Sequence, residues 1–257
     1  MGLKLFFREY GKGDPIVILH GLFGISDNWT TFGKRMAENH HVFIPDQRNH
    51  GQSPHSSLID YPSMAADLEE FLEDHDLREI TLIGHSMGGK TAMQFALDNP
   101  GLLKKLIIVD ISPRQYPPNV EHQQLLHAML SVDLSVAQSR GDVEEQLKDK
   151  IKSQKLRQFI MKNVYWKDKQ HLDWRLNLPG IDENLPHLMD KIESFTTFTK
   201  PTLFIRGGLS GYIQDTDTPL IKKLFPMAEV KTIPNAGHWV HADAPDEFYQ
   251  IVNEFIH

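Results

Sequence analysis

The stretch Glu79-Ile80-Thr81-Leu82-Ile83-Gly84-His85-Ser86-Met87-Gly88-Gly89-Lys90 sets the reading of the whole chain. Residues 79–83 read as a strand that runs straight into the glycine-rich turn. Residues 91–98 carry a helical pattern. Between them stands Gly-x-Ser-x-Gly. A serine on so sharp a strand-to-helix turn needs strained backbone angles. Side chains two positions to either side would strike the neighbouring strand and helix, so 84 and 88 call for glycine. The turn also sets the hydroxyl near the free N–H groups of a helix N-terminus, which favour negative charge. Alone the motif is weak, and an incidental serine in a glycine-rich turn would produce it. The flanking strand and helix make Ser86 the candidate nucleophile.

Working outward, strand and helix patterns alternate. Residues 3–10, 15–19, 41–45, 106–109, 202–205 and 229–233 read as further strands, and 29–39, 64–74 and 246–256 as helices. In the second of these helices Met64, Leu68, Phe71 and Leu72 share one face. From 112 to 199 no strand pattern stands out, and the stretch reads as helical. Alternation of this kind implies α/β architecture with a mostly parallel sheet, helices on both faces and right-handed crossovers. The core is then 1–111 and 200–257, with a helical cap, 112–199, inserted after the sixth strand. Ligands in such sheets bind beyond the carboxyl ends of the strands. His20-Gly21, Ser86, Asp110 and His238 all follow predicted strands and are therefore placed on one edge.

A serine hydroxyl needs a base, and imidazole titrates near neutrality. With 14 histidines, position must discriminate. Asn235-Ala236-Gly237-His238-Trp239 lies between the last strand and the last helix, where the order nucleophile, acid, base puts the histidine. His241 is a nearby decoy. The acid is ambiguous. It is commonest after the penultimate strand, but Phe204-Ile205-Arg206-Gly207-Gly208-Leu209-Ser210-Gly211 holds Ser210 where an aspartate is expected. Asp110, at the end of the strand before the cap, is the preferred candidate, although Asp-Ile-Ser-Pro is also turn chemistry. Asp215, Asp217 and a bare Ser–His dyad are the alternatives. For an oxyanion, the N–H of Met87 and one from His20-Gly21-Leu22-Phe23-Gly24 are the expected donors, Leu22 ahead of Phe23.

The bulk composition excludes other classes. The chain has 257 residues, a size that α/β domains reach as one unit. A net charge of -7 argues against a general nucleic-acid binder. The absence of cysteine removes disulfides, thiolate zinc sites and cysteine nucleophiles, and it suits a reducing compartment. The His238/His241 pair lacks a third ligand, and His-Glu-x-x-His is absent, so no metal is expected. No secretion signal or membrane-length apolar run is found, and a cytoplasmic protein without stable membrane association is expected.

His20-Gly21-Leu22-Phe23-Gly24, Asp46-Gln47-Arg48-Asn49-His50-Gly51-Gln52-Ser53, Gly84-His85-Ser86-Met87-Gly88-Gly89-Lys90, Val109-Asp110-Ile111-Ser112-Pro113 and Ala236-Gly237-His238-Trp239-Val240-His241-Ala242 occur in this order. As a set they resemble the α/β-hydrolase fold, and within it the YbfF-like bacterial esterases and related mitochondrial abhydrolase-domain proteins. The resemblance spans nearly the whole chain and is weakest in the cap. It implies a serine esterase or thioesterase for short acyl chains, with acyl-CoA as a possible substrate and no cofactor. It also supports Asp110, because these relatives likewise lack an aspartate at the position of Ser210.

Other residues are weighed beside these. Lys90, a cation at the wrong end of a helix dipole, is a candidate to attract a CoA phosphate or is simply a snorkelling lysine. Phe23, Trp239 and Met87 would form an apolar acyl wall or pack in the core. His85 reads as a packed neighbour of the elbow, and Arg48, Asn49 and His50 as braces of their loop. Residues 158–169, with Phe159, Ile160, Met161, Tyr165 and Trp166 among lysines, would cover the core, or else dock an acyl chain or a membrane surface. The rival functions are a cofactor-free perhydrolase or haloperoxidase with the same triad, and a non-catalytic ligand-binding protein. Haloalkane dehalogenase is disfavoured because its nucleophile must be aspartate. A monomer or homodimer acting on a small ester or thioester is expected.

Overall fold

The computed structural model describes residues 2–117 and 120–257. Met1, and Pro118 and Asn119 within the expected cap, lie outside the described residues. The strands are β1 (Phe7–Gly11), β2 (Asp14–Leu19), β3 (His40–Pro45), β4 (Ile80–His85), β5 (Leu103–Val109), β6 (Val164–Trp166), β7 (Leu172–Trp174), β8 (Thr202–Gly207) and β9 (Ala228–Ile233). The helices are α1 (Thr30–Met36), α2 (Tyr61–Asp74), α3 (Met87–Asp98), α4 (Val120–Leu130), α5 (Arg140–Lys148), α6 (Gln154–Met161), α7 (Leu178–Leu188), α8 (Thr218–Leu224), α9 (Val240–Asp243) and α10 (Pro245–Ile256).

Seven strands pair in the order β1-β3-β2-β4-β5-β8-β9, all parallel except β1 against β3. Strand residues alternate between two apolar clusters. In β5, Leu106 and Ile108 face the side with α2 and α3, while Ile107 and Val109 face the side with α1 and α10. Burial on both faces is why these strands read as unbroken apolar runs rather than as alternation. The chain runs from β2 out to β3 and returns across β2 to β4. Strand order therefore reverses between β2 and β4, and the crevice beyond their carboxyl ends is the binding position of such sheets.

Three expectations on element placement are corrected. α2 starts three residues before the predicted helix, because Asp60 accepts the Ser63 N–H at 2.8 Å and caps it. The insertion leaves the sheet after β5, the fifth strand rather than the sixth, since only one strand, β1, precedes β2. Within it, β6 and β7 form an antiparallel hairpin where no strand was expected. Three residues per strand is too short for a periodic signal. The hairpin exists because Val164, Leu172 and Trp174 are buried and Asp168 accepts the N–H groups of Gln170 and His171 in its turn.

The brace reading of the loop after β3 holds. Arg48 is buried, and its guanidinium grips Asp67 of α2 at 2.6 and 2.7 Å and also donates to the carbonyls of Leu58 and Ser63. No helix among the described residues is long and apolar enough to cross a membrane.

Candidate active site

Ser86 stands at the tip of β4 with φ 52° and ψ -120°, and α3 begins at the next residue. The collisions argued for the two flanking glycines are present. A Cβ on Gly84 would lie 2.3 Å from the Gly88 carbonyl oxygen, and one on Gly88 would lie 2.5 Å from that of His20. The second approach presses the start of α3 against the end of β2, which brings the loop after β2 beside the elbow.

His238 lies on the loop after β9. Its Nδ1 is 2.8 Å from Asp110 Oδ2, and the Asp110 side chain is fully buried. The other carboxylate oxygen accepts the Gly207 N–H at 3.0 Å. β5 therefore delivers the Asp110 carboxylate to His238. The alternatives are engaged elsewhere: Asp215 pairs with Arg206, and Asp217 with Arg114. Ser210 donates its hydroxyl to Asp110 Oδ2, the same oxygen that meets His238. The serine at the usual acid position thus holds an acid supplied from the neighbouring strand. Its signal in the sequence was its position, since any residue there lies within reach of the base. Tyr212, which stacks on the His238 ring at 3.9 Å and 20°, had no signal. Ser86 Oγ makes no hydrogen bond to His238 in this state. Such contacts are often long before substrate binds.

Among the described residues the N–H groups of Leu22 and Met87 have no protein acceptor, whereas that of Phe23 donates to His50 Nε2 at 3.2 Å. His50 thereby uses up the N–H of the less favoured oxyanion donor. His85 packs behind the elbow as expected, its Nε2 meeting the His238 carbonyl oxygen at 2.9 Å.

The region from β2 into the insertion, residues 14–159, matches the family model described as the alpha/beta hydrolase fold. The chain belongs to this family. The α/β-hydrolase is 39% identical over 254 residues to the sn-1-specific diacylglycerol lipase ABHD11 of Danio rerio, covering 96% of this chain and 80% of the relative. It is 32% identical to Esterase YbfF of Escherichia coli, covering 95% and 94% of the two chains. A solved structure described as a marine microorganism esterase superposes with a TM-score of 0.96 at 44% identity, over 99% of this chain and 100% of that one. This α/β-hydrolase is an ester hydrolase.

Two cavities meet at Ser86. One, of about 490 Å³, is lined by Leu22, Tyr61, Met87, Ile111, Tyr116, Leu188 and Met189, with Arg114 and Gln214 among its polar groups. The other, of about 510 Å³, contains His238, Phe23, Phe159, Trp239, Lys155 and Lys162. Phe23 and Trp239 line this second cavity, and residues 158–169 both cover the core through Ile160 and Met161 and line the same cavity through Phe159. Lys90 is a correction. It lines neither cavity, and its ammonium donates to the carbonyls of Arg114 and Asp190, one at each end of the insertion. Burial pulls it down to about 7. The helix-dipole argument detected an unusual lysine, but its partners come from the chain folding back over it.

The hydrolase also buries several neutral imidazoles. Burial pulls His20 down to about 4, His50 to about 3 and His241, stacked on Trp29, to about 3, and pushes His85 well below its ordinary value. Unfolded, each would take a proton near 6.5. Their contribution to stability is whole above that pH and is lost as the pH falls from there toward 4. The urea midpoint is expected to drop by roughly half or more between pH 7 and pH 4.5. His241→Phe, which keeps the ring stack, should flatten that drop. An equal slope in the variant would contradict the assignment.

Proposed function

We propose that this chain is a serine esterase that hydrolyses short-chain carboxylic esters or acyl-CoA thioesters through an acyl-enzyme on Ser86. The observation that carries the reading is a fully buried carboxylate, Asp110, 2.8 Å from Nδ1 of His238, whose ring borders the same cavity as Ser86. The carboxylate orients the imidazole and stabilises its charged form. His238 takes the Ser86 proton as the oxygen attacks the carbonyl carbon. The N–H groups of Leu22 and Met87 receive the oxyanion, each donor worth about 2.7 to 4 kcal/mol. His238 then gives the proton to an alkoxide leaving group, and a thiolate leaves with less help. Water activated by His238 releases the acid.

The open N–H of Met87 and the spent N–H of Phe23 support Leu22 and Met87 as the donor pair. Phe23 and Trp239 contact substrate in this reading, and the insertion, residues 112–199, acts as a cap that sizes the site. The reaction needs no metal or organic cofactor. A cysteine-free chain of this kind suits the cytoplasm, where it works as a monomer or homodimer on small substrates.

The test is a fluorophosphonate probe followed by peptide mapping, then p-nitrophenyl esters and acyl-CoAs of rising chain length. Labelling is expected on Ser86, with kcat/KM highest for short chains. A covalent adduct on any other residue, or turnover that persists after full labelling, would sink the proposal.

A further inference from the structure

Lys90 is 1% exposed, and the reaction described above does not use it. It lies in the first turn of α3, and its backbone N–H donates to the Ser86 carbonyl oxygen. An ammonium so far from water needs partners for its donors. Among the described residues no carboxylate pairs with it. Its ammonium donates to the carbonyl oxygen of Arg114 at 2.9 Å and to that of Asp190, and it lies over the rings of Tyr116 and Tyr61 at 4.8 and 5.5 Å. The two carbonyls belong to the segments that carry the chain into and out of the insertion. Those segments are also joined to each other. The Tyr116 N–H donates to the Met189 carbonyl at 2.9 Å, and the Ile192 N–H to that of Pro113 at 2.8 Å. Tyr61 of α2 adds a bond from its hydroxyl to the Leu188 carbonyl at 2.6 Å. The base of the insertion is therefore held to the core by one buried cation and one phenol.

The reading above, on which this inference rests, orients the substrate. His238 delivers the proton to the leaving group and borders the 510 Å³ cavity, which leaves the 490 Å³ cavity to the acyl chain. Arg114, Tyr116, Leu188 and Met189 of the paired segments line that acyl cavity, and Met87 and Ile111 of the core complete it. How closely the segments sit on α3 thus sets how deep the cavity is. We propose that Lys90 is a positioning residue for acyl-chain selectivity: by holding both ends of the insertion down on α3 it fixes the depth of the acyl cavity, so that short chains fit and longer ones do not. The tie carries a pH response. Burial pulls the ammonium down to about 7, so the tie is charged below that pH and weaker above it, where a neutral amine makes the same bonds without charge assistance. The other groups around it are Arg114, paired with Asp217, and Asp190, 3.6 Å from His187. Burial pushes the Tyr61 and Tyr116 phenols up, so both stay neutral throughout.

The test measures kcat and KM for p-nitrophenyl butyrate and p-nitrophenyl decanoate at pH 6 and pH 8.5, in the wild type and in Lys90→Met. Methionine fills the same space and donates nothing. The ratio of kcat/KM, butyrate over decanoate, cancels the titration of His238, which both esters share. In the wild type it should fall by about threefold or more as the pH rises. In Lys90→Met it should lie about tenfold below the wild-type value at pH 6, the worth of about two further buried methylenes, and be the same at both pH values. The change should appear in KM for decanoate, with kcat for butyrate within about threefold of wild type. The wild-type pH response stands as a separate measurement should the variant fold poorly. A wild-type ratio that does not move with pH, an unchanged ratio in Lys90→Met, or a pH response that survives in that variant and so belongs to His187 and Asp190, overturns the inference. Failure of the underlying reading looks different: both esters would still be hydrolysed by Ser86→Ala.

Discussion

Ser86→Ala is expected to lower kcat/KM for p-nitrophenyl acetate by about 10⁵-fold or more, with the melting temperature unchanged or slightly changed. Among the described residues that border both cavities Ser86 carries the only aliphatic hydroxyl, and the variant removes it while keeping a Cβ in the same strained backbone. What activity remains should come from Leu22, Met87 and substrate positioning acting on water, which in comparable sites leaves about 10³-fold over solution. Ser86→Gly separates strain from chemistry. At φ 52° and ψ -120° glycine has no Cβ to clash, so this variant should be as inactive as the alanine form yet melt higher. A fully active Ser86→Ala would refute the assignment, and a glycine variant less stable than the alanine one would refute the strain.

Asp110→Asn is expected to cost about 10⁴-fold in kcat with little change in KM. The amide oxygen can still accept the Gly207 N–H, which leaves its NH₂ group facing Nδ1 of His238, where a donor must now be accepted. The ring turns to the other tautomer and loses the lone pair that should meet Ser86. Asp215→Asn and Asp217→Asn should each leave kcat within about threefold, because both carboxylates are paired with arginines away from His238. The Ser210 contact adds a sharper check. Its hydroxyl reaches the same carboxylate oxygen that holds His238, so a carboxylate at 210 falls near the base. Asp110→Asn combined with Ser210→Asp should recover about tenfold or more over Asp110→Asn alone. Steady-state kinetics on the four variants decide the matter. Loss of activity in an Asp215 or Asp217 variant equal to that in Asp110→Asn would move the acid elsewhere.

Much of the site is visible in one dimension for a physical reason. The elbow is a short-range object: its strain, its flanking glycines and its helix all lie within a dozen residues around Ser86. His238 was found by chain order, because a parallel sheet with right-handed crossovers carries each strand-end loop to the same edge. The hairpin β6–β7 was invisible because its stability comes from burial of Val164, Leu172 and Trp174, not from a local pattern.

The amino-acid sequence by itself determined the parallel sheet, the strained serine, the strand-end placement of His238 and the class of chemistry, since each follows from local geometry and order along the chain. Only the tertiary structure decided that Asp110 meets His238, that Ser210 braces it, and that Lys90 is an interior tie between the two ends of the insertion. Those outcomes depend on which distant segments share a few ångströms of space, and a side chain's role there is set by the partners that folding brings to it.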